Sequence, residues 1–366
     1  MSSKLRLLIV EDDPSAIQVY EQQIKYYNKK NKILISKDIR KSQADGLDAI
    51  KKGDYDAAIV DIKLSSINTK QTGNKIIRKI KEDLRFPVCV YTAFDDIDDD
   101  LKEESEFYRI YKKSGKNGKS IQEILTELVD IYRTGITKIL GKRGTIEGYL
   151  KEIFWKHLSG SFKDWIEEAK SGDNTEKILL RYTLSHIREY LDKNETGKYD
   201  DYHPAEVYIA SPVNENIHTG LILKQNNGDQ YFIVLTPLCD LANKRARKIV
   251  LALIEKQNMQ YVSELKRKII SGGEGSRKAR TALMDLLRNR HSFKYHFLPE
   301  VHGIGGFINF QKISSFGISE IKNNFEHIAT VTDKFCKDIV ARFSHYYARQ
   351  GQPDFNYDRI YESIIE

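Results

Sequence analysis

Residues 7–14 read Leu-Leu-Ile-Val-Glu-Asp-Asp-Pro, and this segment decides the fold of the first third of the chain. Its branched apolar run is typical of a strand that is buried on both faces of a parallel sheet. Pro14 fits the first turn of a helix, where its missing N–H costs nothing. The segment therefore predicts a strand, an acidic turn and a helix over residues 15–27.

Three further apolar runs end in polar residues in the same way. They are residues 57–60 before Asp61, residues 88–91 before Thr92, and residues 108–111 before Lys112 and Lys113. A helical pattern over residues 74–83 lies between two of these runs, so strands and helices alternate as in a doubly wound parallel sheet. Such sheets bind ligands outside the carboxyl ends of their strands, where the polar residues would gather.

The charges of these residues indicate a chemistry. Glu11, Asp12 and Asp61 would repel one another at one sheet edge, and a hard cation such as Mg²⁺, held by carboxylates and water, relieves that repulsion. The metal would shield an approaching phosphoryl donor, so that Asp61 could act as nucleophile and form an acyl phosphate. Lys112 could then pair with the phosphoryl group, and the Thr92 hydroxyl could hydrogen-bond to it. The pattern predicts a phosphorylation switch.

These blocks resemble the signature sequences of the receiver domain of two-component response regulators. The resemblance covers residues 4–133 and implies a five-stranded sheet whose Asp61 is phosphorylated by a histidine kinase or a phosphotransfer protein. The blocks that carry it, in this order and spacing, are residues 8–14, 60–64, 91–93 and 110–112. The implied Mg²⁺ ligands are the carboxylates of Glu11, Asp12 and Asp61 and the backbone carbonyl of Lys63, and the implied phosphate-reading residues are Thr92 and Lys112.

The chain departs from that family pattern in three places. Lys112 is followed by Lys113, where the family usually has a proline, although the register of the preceding strand residues favours Lys112 as the pocket lysine. Arg109 stands three residues before Lys112, where the family commonly has an aromatic switch residue. The loop at residues 65–72 is longer than usual and could alter kinase recognition or the lifetime of the phosphate.

Composition sets outer limits. A chain of 366 residues with 40% hydrophobic content can bury two or three cores. No apolar run approaches a membrane span and no signal peptide precedes the first strand, so we expect a cytoplasmic protein without a membrane partner. Cys89, Cys239 and Cys336 contain no Cys-x-x-Cys pair, which argues against a disulfide framework or a structural zinc site. The oligomeric state is open, and a homodimer is one of the options.

The pattern divides the α/β chain into four parts, beginning with a receiver domain at residues 1–133. Residues 134–200 contain a hinge with glycines and lysines, then helical patterns, which predict a helical connector. Residues 201–315 contain short alternating runs and turn residues, which predict an α+β output domain with a small antiparallel barrel and a basic helical insertion. Residues 316–366 predict a C-terminal helix, over residues 320–347, and a tail.

The net charge of +7 is spread unevenly along the chain. Residues 266–294 form a basic stretch, interrupted by a glycine-rich segment at residues 271–275. A nucleic acid or an acidic protein is a candidate partner for this stretch. The competing interpretation is a solvated helical face, and no recognition-helix pattern or alternation of aromatic and basic residues decides between them.

One segment of the predicted barrel has the residues of a reactive site. Cys239 lies beside Asp240 after an apolar run, and the cysteine could be a nucleophile if a histidine lay close to it. The candidate histidines are His218, His296 and His302. The competing interpretation is a buried Cys239, with Asp240 capping a turn or pairing with a nearby cation.

Two classes of function compete. In the first, the chain is a response regulator of a phosphorelay whose C-terminal domain acts by binding. In the second, the receiver controls an effector enzyme of a hydrolase or nuclease-like kind, which uses Cys239, Asp240 and a histidine. A DNA-binding transcription factor is the weaker idea, because no helix-turn-helix pattern follows the receiver.

Overall fold

The computed structural model describes residues 4–64, 72–93, 97–114, 118–170, 174–192, 196–256, 259–290, 293–301, 303–351 and 353–366. The chain forms two compact units, Met1–Asp200 and Asp201–Glu366. The first unit contains a parallel sheet, and the second contains an antiparallel one. Among the described residues, no helix has both the length and the apolar character needed to cross a membrane.

The first unit is built on five strands in the order β2-β1-β3-β4-β5. The strands are β1 (Lys4–Val10), β2 (Leu34–Arg40), β3 (Ala57–Val60), β4 (Val88–Thr92) and β5 (Tyr108–Lys112). Every neighbouring pair is parallel. This strand order is that of the flavodoxin-like doubly wound folds, with its switch point between β1 and β3. The prediction of a doubly wound, five-stranded parallel sheet is confirmed.

Four helices of the first unit pack with this sheet. They are α1 (Pro14–Lys30), α2 (Gln43–Lys52), α3 (Thr72–Asp83) and α4 (Ile121–Arg133). Asp13 caps α1, since its carboxylate accepts a hydrogen bond from the Ser15 N–H at 2.9 Å, and Pro14 occupies the first turn. Between β4 and β5 the described residues form one 3-10 turn, Asp99–Leu101, and no α-helix.

The side chains of each strand alternate between two apolar cores. Leu7 and Ile9 of β1 lie in the core that contains residues of α1 and α4. Leu8 and Val10 lie in the core that contains residues of α2 and α3. Because successive strand residues point to opposite faces of the sheet, the position of a residue near a strand end decides which of the two cores lies on its side.

The remaining helices of the first unit follow the sheet in the chain. They are α5 (Ile136–Leu140), α6 (Thr145–Glu152), α7 (Phe162–Lys170) and α8 (Thr175–Leu191), with a π-helical segment at Ile153–Leu158 and a 3-10 turn at Ser159–Ser161. Tyr149 stacks on Tyr190, with ring centroids 5.0 Å apart, which pairs α6 with α8. A helical segment after the parallel sheet was predicted and is observed. The finer boundary between domains at residues 133 and 134 stays a prediction.

The second unit is built on seven antiparallel strands in the order β10-β11-β9-β8-β7-β12-β6. The strands are β6 (Tyr208–Ala210), β7 (Leu221–Gln225), β8 (Tyr231–Val234), β9 (Ile249–Glu255), β10 (Tyr295–Val301), β11 (Ile304–Phe316) and β12 (Phe325–Val331). The sheet curls into a half-barrel. The Tyr208 hydroxyl of edge strand β6 donates a hydrogen bond to the Pro299 carbonyl of edge strand β10 at 2.8 Å. The described residues form no backbone ladder between these two edges.

Helices of the second unit occupy the connections and the C-terminus. They are α9 (Leu238–Ala242), α10 (Gln260–Ile270), α11 (Glu274–Leu287), α12 (Ile318–Asn324), α13 (Asp333–Ala348) and α14 (Tyr357–Ile365). The basic helical insertion predicted between strands is the pair α10 and α11, which lies between β9 and β10.

The single helix predicted over residues 320–347 is wrong. Its middle, Phe325–Val331, is β12, which lies between β7 and β6 in the sheet. The pairing of β12 with β7 shifts register between His327 and Ala329. This irregularity interrupts the two-residue period, and the apolar residues then also fit a helical spacing.

His296 of β10 is a buried polar residue of the second unit. The residue is 5% exposed, and its Nδ1 has no hydrogen-bond partner among the described residues. Burial, with a smaller effect from the charge of Arg342, lowers the pKa of His296 to about 3. The imidazole is therefore neutral at pH 7, and its contact with Asp338 Oδ2 at 3.6 Å is not an ion pair there.

We expect His296 to make the second unit sensitive to acid. An unfolded histidine binds a proton near pH 6.5, whereas the folded one stays neutral down to about pH 3. The free energy of unfolding is therefore highest above pH 6.5. It decreases as the pH falls below that value, by about 2 kcal/mol between pH 7 and pH 5. Hydrogen exchange of the β10 and β11 amides at the two pH values measures this loss. His296→Phe should remove most of it, and an equal loss in the variant would contradict the prediction.

Candidate functional site

The carboxyl ends of three strands in the first unit bring two carboxylates and an amine together. Asp61 directly follows β3, and its N–H donates a hydrogen bond to the Val10 carbonyl at the end of β1 at 2.9 Å. Lys113, which directly follows β5, places its Nζ 2.7 Å from Asp61 Oδ2 and 2.7 Å from Glu11 Oε2. The amine therefore bridges the two carboxylates.

The lysine of this cluster is Lys113, so the prediction that Lys112 enters the pocket is wrong. Strand alternation is the reason. Lys112 has the parity of Ile110, which packs against the core of α2 and α3, whereas Lys113 has the parity of Tyr111, which packs against the core of α1 and α4.

Glu11 and Asp61 follow the same rule of alternation. Glu11 lies two residues beyond Ile9, and Asp61 two residues beyond Ile59, and both of these isoleucines belong to the core of α1 and α4. The two carboxylates and the Lys113 amine thus extend from one face of the sheet. The alternation along β5 is visible in the sequence, but only the tertiary contacts show which of its two faces is shared with Glu11 and Asp61.

The bridge is shielded from water. Glu11 is 0% exposed and Asp61 5%, while the Lys113 side chain is 22% exposed. Burial raises the pKa of Glu11, and the Lys113 ammonium offsets only part of that rise. Burial alone would lower the pKa of Lys113, but its hydrogen bonds to Asp61 and Glu11 outweigh that effect, so its pKa is raised. The ammonium stays charged at neutral pH and stabilises two carboxylates that repel each other.

The acidic turn after β1 is held by the start of α1. The Asp13 N–H donates a hydrogen bond to Glu11 Oε1 at 3.2 Å, while the Asp13 side chain caps the helix. Asp12 lies between these two residues and is half-buried. Asp12 therefore directly follows Glu11, one of the two carboxylates that Lys113 bridges. The hydrogen bonds of the turn fix the backbone on both sides of Asp12.

Thr92 and Lys63 adjoin the bridge through the backbone. Thr92 ends β4 and is fully buried, and its carbonyl oxygen accepts a hydrogen bond from the Lys113 N–H at 2.9 Å. The strand end that carries the hydroxyl therefore also positions the lysine. The Lys63 N–H donates a long hydrogen bond of 3.4 Å to Asp61 Oδ1.

Gly73 sets how closely α3 approaches Asp61. Its N–H donates to the Ile62 carbonyl at 2.9 Å, and a Cβ at this position would lie 2.2 Å from the Asp61 carbonyl oxygen. The Thr72 hydroxyl donates to the Leu64 carbonyl at 3.1 Å and joins the start of α3 to the segment after β3. The longer loop predicted at residues 65–72 lies, apart from Thr72, outside the described residues.

The carboxylates fit a hard divalent cation by their chemistry. Oxygen atoms of Glu11 and Asp61 converge on the point that Lys113 Nζ occupies, and carboxylate oxygens are the ligands that Mg²⁺ prefers. Within the described part of the chain, no three acids, cysteines or histidines are grouped closely enough to hold a metal in this arrangement. A cation between the carboxylates therefore requires the ammonium to move aside.

Arg109 lies on the sheet edge, away from the bridge in register. It forms an ion pair with Glu106 at 2.7 Å. With Lys113 as the bridging lysine, the residue three positions before it is Ile110. Arg109 therefore does not stand at the position where the family resemblance implies an aromatic switch residue. The aromatic residue nearest in the strand is Tyr111, whose hydroxyl donates to Glu127 of α4 at 2.8 Å.

Cys239 and Asp240 lie in α9 of the second unit. Cys239 is exposed, so the idea of a buried cysteine is wrong, and its Sγ is 3.9 Å from Asp240 Oδ1. His218 directs its two ring nitrogens to a backbone carbonyl and to a threonine hydroxyl. In the chain as described, which leaves out His302, no histidine hydrogen-bonds to Cys239 or Asp240.

Comparison with known proteins finds similar solved structures for the N-terminal part of the chain. No family model and no curated protein matches the sequence significantly. Solved structures match about a third of the chain, at its N-terminal end. This part is similar to receiver domains of response regulators.

Three solved structures illustrate the similarity. The N-terminal domain of a response regulator/sensory box/GGDEF three-domain protein from Carboxydothermus hydrogenoformans is 17% identical, with 36% of this chain and 98% of that chain covered and a TM-score of 0.28. A CheY-like receiver domain protein from Methanospirillum hungatei is 19% identical, with 36% and 100% covered and a TM-score of 0.27. A two-component response regulator from Clostridium difficile is 16% identical, with 35% and 96% covered and a TM-score of 0.27.

We expect Gly73→Ala to destabilise the first unit by about 1–3 kcal/mol, because the new methyl group must displace the backbone at Asp61. Gly148→Ala is the matched control. Gly148 lies in α6 with nothing within 4 Å of its missing Cβ, so alanine there should be neutral or stabilising by up to about 1 kcal/mol. Thermal unfolding followed by circular dichroism compares the two, and equal melting temperatures would contradict the steric argument.

We expect Lys113→Met to cost about 1–3 kcal/mol, since the Glu11 and Asp61 carboxylates would lose their shared cation. Lys112→Met removes the same charge from the adjacent position on the opposite face and should cost less. Adding Glu11→Gln to Lys113→Met should recover part of the loss, as a double-mutant cycle in urea denaturation would show. Equal costs for the two lysine variants would mean that Lys113 does not form the bridge.

Proposed function

We propose that this chain is a response regulator of a phosphorelay, in which Asp61 accepts a phosphoryl group and the second unit acts by binding. One observation carries the proposal. Lys113 bridges the shielded carboxylates of Glu11 and Asp61 at the carboxyl edge of a five-stranded parallel sheet. A phosphoryl group formed on Asp61 would meet an ammonium that is already in place.

The transfer would proceed from a phosphohistidine on a histidine kinase or a phosphotransfer protein. An Asp61 carboxylate oxygen attacks the phosphorus, the new P–O bond forms as the P–N bond breaks, and the imidazole leaves with the electron pair of that bond. Asp61 becomes an acyl phosphate. The N–H of Lys63 and the amine of Lys113 hold the attacking carboxylate in one orientation, since they contact its two different oxygens.

Mg²⁺ is the cofactor that this donor set suits. Its ligands would be the carboxylates of Glu11, Asp12 and Asp61 and the backbone carbonyl of Lys63. When bound, the ion would neutralise negative charge between the pocket and an anionic phosphoryl donor. Lys113 would then pair with the phosphoryl group instead of Glu11.

Phosphorylation would change the strand ends around Asp61. The phosphoryl group adds charge and acceptor oxygens. Lys113 would follow that charge, and Thr92, whose carbonyl oxygen holds the Lys113 N–H, could donate its hydroxyl to a phosphoryl oxygen. The ends of β4 and β5 would then move together, and this movement is the proposed signal to the second unit.

The alternative of a receiver-controlled hydrolase or nuclease is not supported to the same extent. Neither Cys239 nor Asp240 forms a hydrogen bond with a histidine in the part of the chain that is described. The cytoplasmic location and the homodimer stay predictions.

We expect acetyl phosphate with Mg²⁺ to add one phosphoryl group to the protein, as measured by intact mass spectrometry. Asp61→Asn should abolish the addition, and chelation of Mg²⁺ should prevent it. Asp48→Asn replaces an exposed carboxylate of α2 and serves as the control, which should be modified like the wild type. An unchanged mass in a folded wild-type sample would overturn the proposal.

A further inference from the structure

The helical hairpin formed by α10 and α11, taken with the residues up to Arg290, carries most of the net charge of the chain. Residues 260–290 contain three acids, Glu264, Glu274 and Asp285, and eight basic residues. The basic residues are Lys266, Arg267, Lys268, Arg277, Lys278, Arg280, Arg288 and Arg290. The segment therefore has a net charge of +5, against +7 for all 366 residues.

These eight side chains are exposed and have no carboxylate partner among the described residues. All eight residues are in the exposed class, and across the described residues none of them forms an ion pair, a side-chain hydrogen bond or a contact with an aromatic ring. Two exposed lysines elsewhere in the same unit do form ion pairs. Lys312 pairs with Glu255, and Lys337 with Asp333. The described residues of the unit therefore do not pair with these eight charges.

The hairpin is a fixed support for these charges. Val262 of α10 and Leu286 of α11 are 2% exposed and pack with Phe307 of β11 in one apolar cluster. The Ser276 hydroxyl donates to the Ile269 carbonyl at 3.3 Å and ties the two helices together near their turn. The positive side chains repel one another on this support, which is an energetic cost that a bound polyanion would remove.

We propose that the α10–α11 hairpin binds the phosphate backbone of a nucleic-acid duplex. Lysine and arginine side chains that neutralise phosphates release condensed counterions, and this release drives binding. The proposal goes beyond the phosphorylation of Asp61, because it names the ligand class of the second unit and holds whether or not Asp61 is phosphorylated.

The chemistry of the hairpin favours a duplex over the other polyanions. An interface with an acidic protein usually has an apolar core, but the large apolar side chains exposed on the hairpin are Ile270 and Met284 alone among its described residues. Binding of single strands relies on bases stacked on aromatic rings. The hairpin has one aromatic residue, Tyr261, and it is half-buried. The binding mode that remains is contact with the phosphate backbone of a duplex, which does not depend on base sequence.

The hairpin is long enough to contact several phosphates of a duplex. The 14 residues of α11 span about 21 Å, and a duplex presents one negative charge for roughly every 1.7 Å of its axis. If all eight cations neutralised phosphates, the logarithm of the binding constant would fall with the logarithm of salt concentration at a slope of about −7. A smaller number of contacts gives a proportionally shallower slope.

Fluorescence anisotropy with the full chain tests the proposal, using labelled DNA and RNA duplexes of about 30 base pairs between about 50 and 200 mM salt. We expect binding with a steep salt dependence. The triple variant Lys266→Gln, Arg267→Gln and Lys268→Gln should weaken it at least about tenfold and reduce the slope by about 2–3. The control Lys25→Gln, Lys29→Gln and Lys32→Gln removes three exposed charges from the first unit and should change Kd by less than about twofold.

The possible results separate the ligand classes. Hairpin-dependent binding of either duplex supports the proposal, and the tighter of the two identifies DNA or RNA as the source of the phosphates. If both triple variants weakened binding equally, the overall charge of the protein would explain the binding, and the proposal would be overturned. An absence of binding at the lowest salt would also overturn it, as would tighter binding of polyglutamate, which would indicate an acidic protein. Circular dichroism confirms folding. Binding is measured without a phosphoryl donor, so that its failure is distinct from a failure of the phosphorylation test.

Discussion

Two carboxylates at a shielded sheet edge stay ionised together only if a cation lies between them. Lys113 is that cation for Glu11 and Asp61, at 2.7 Å from each. The arrangement depends on three parallel strands that end level with one another, because a slip of one residue along β5 would send the amine to the opposite face. The strand order, the capped turn before α1 and the absence of a side chain at Gly73 all maintain this alignment.

The second unit differs from the first in how its charged side chains are paired. The first unit pairs its buried carboxylates internally, whereas the α10–α11 hairpin presents eight cations that have no carboxylate partner among the described residues. His296 of this unit is kept neutral by burial. This contrast is the basis of the two proposals, phosphorylation of the first unit and binding of a polyanion by the second.

The parts of the fold that could be predicted are those with an uninterrupted period. Strands buried on both faces of the parallel sheet are continuous apolar runs, so β1, β3, β4 and β5 were recognisable, together with the polar residues that follow them. The strands of the half-barrel alternate and were also recognisable. Phe325–Val331 was not, because the register shift at His327 mixes the two-residue and helical periods.

By itself, the sequence determined that Glu11, Asp61 and Thr92 stand at the ends of parallel strands, because apolar runs and the residues that end them are properties of neighbours in the chain. Only the tertiary structure decided that Lys113, and not Lys112, reaches Asp61, and that Cys239 is exposed. It also decided that the cations of the hairpin lack partners in the described residues. These outcomes depend on which face of a strand a side chain occupies and on which distant residues meet there, and local sequence patterns do not specify those contacts.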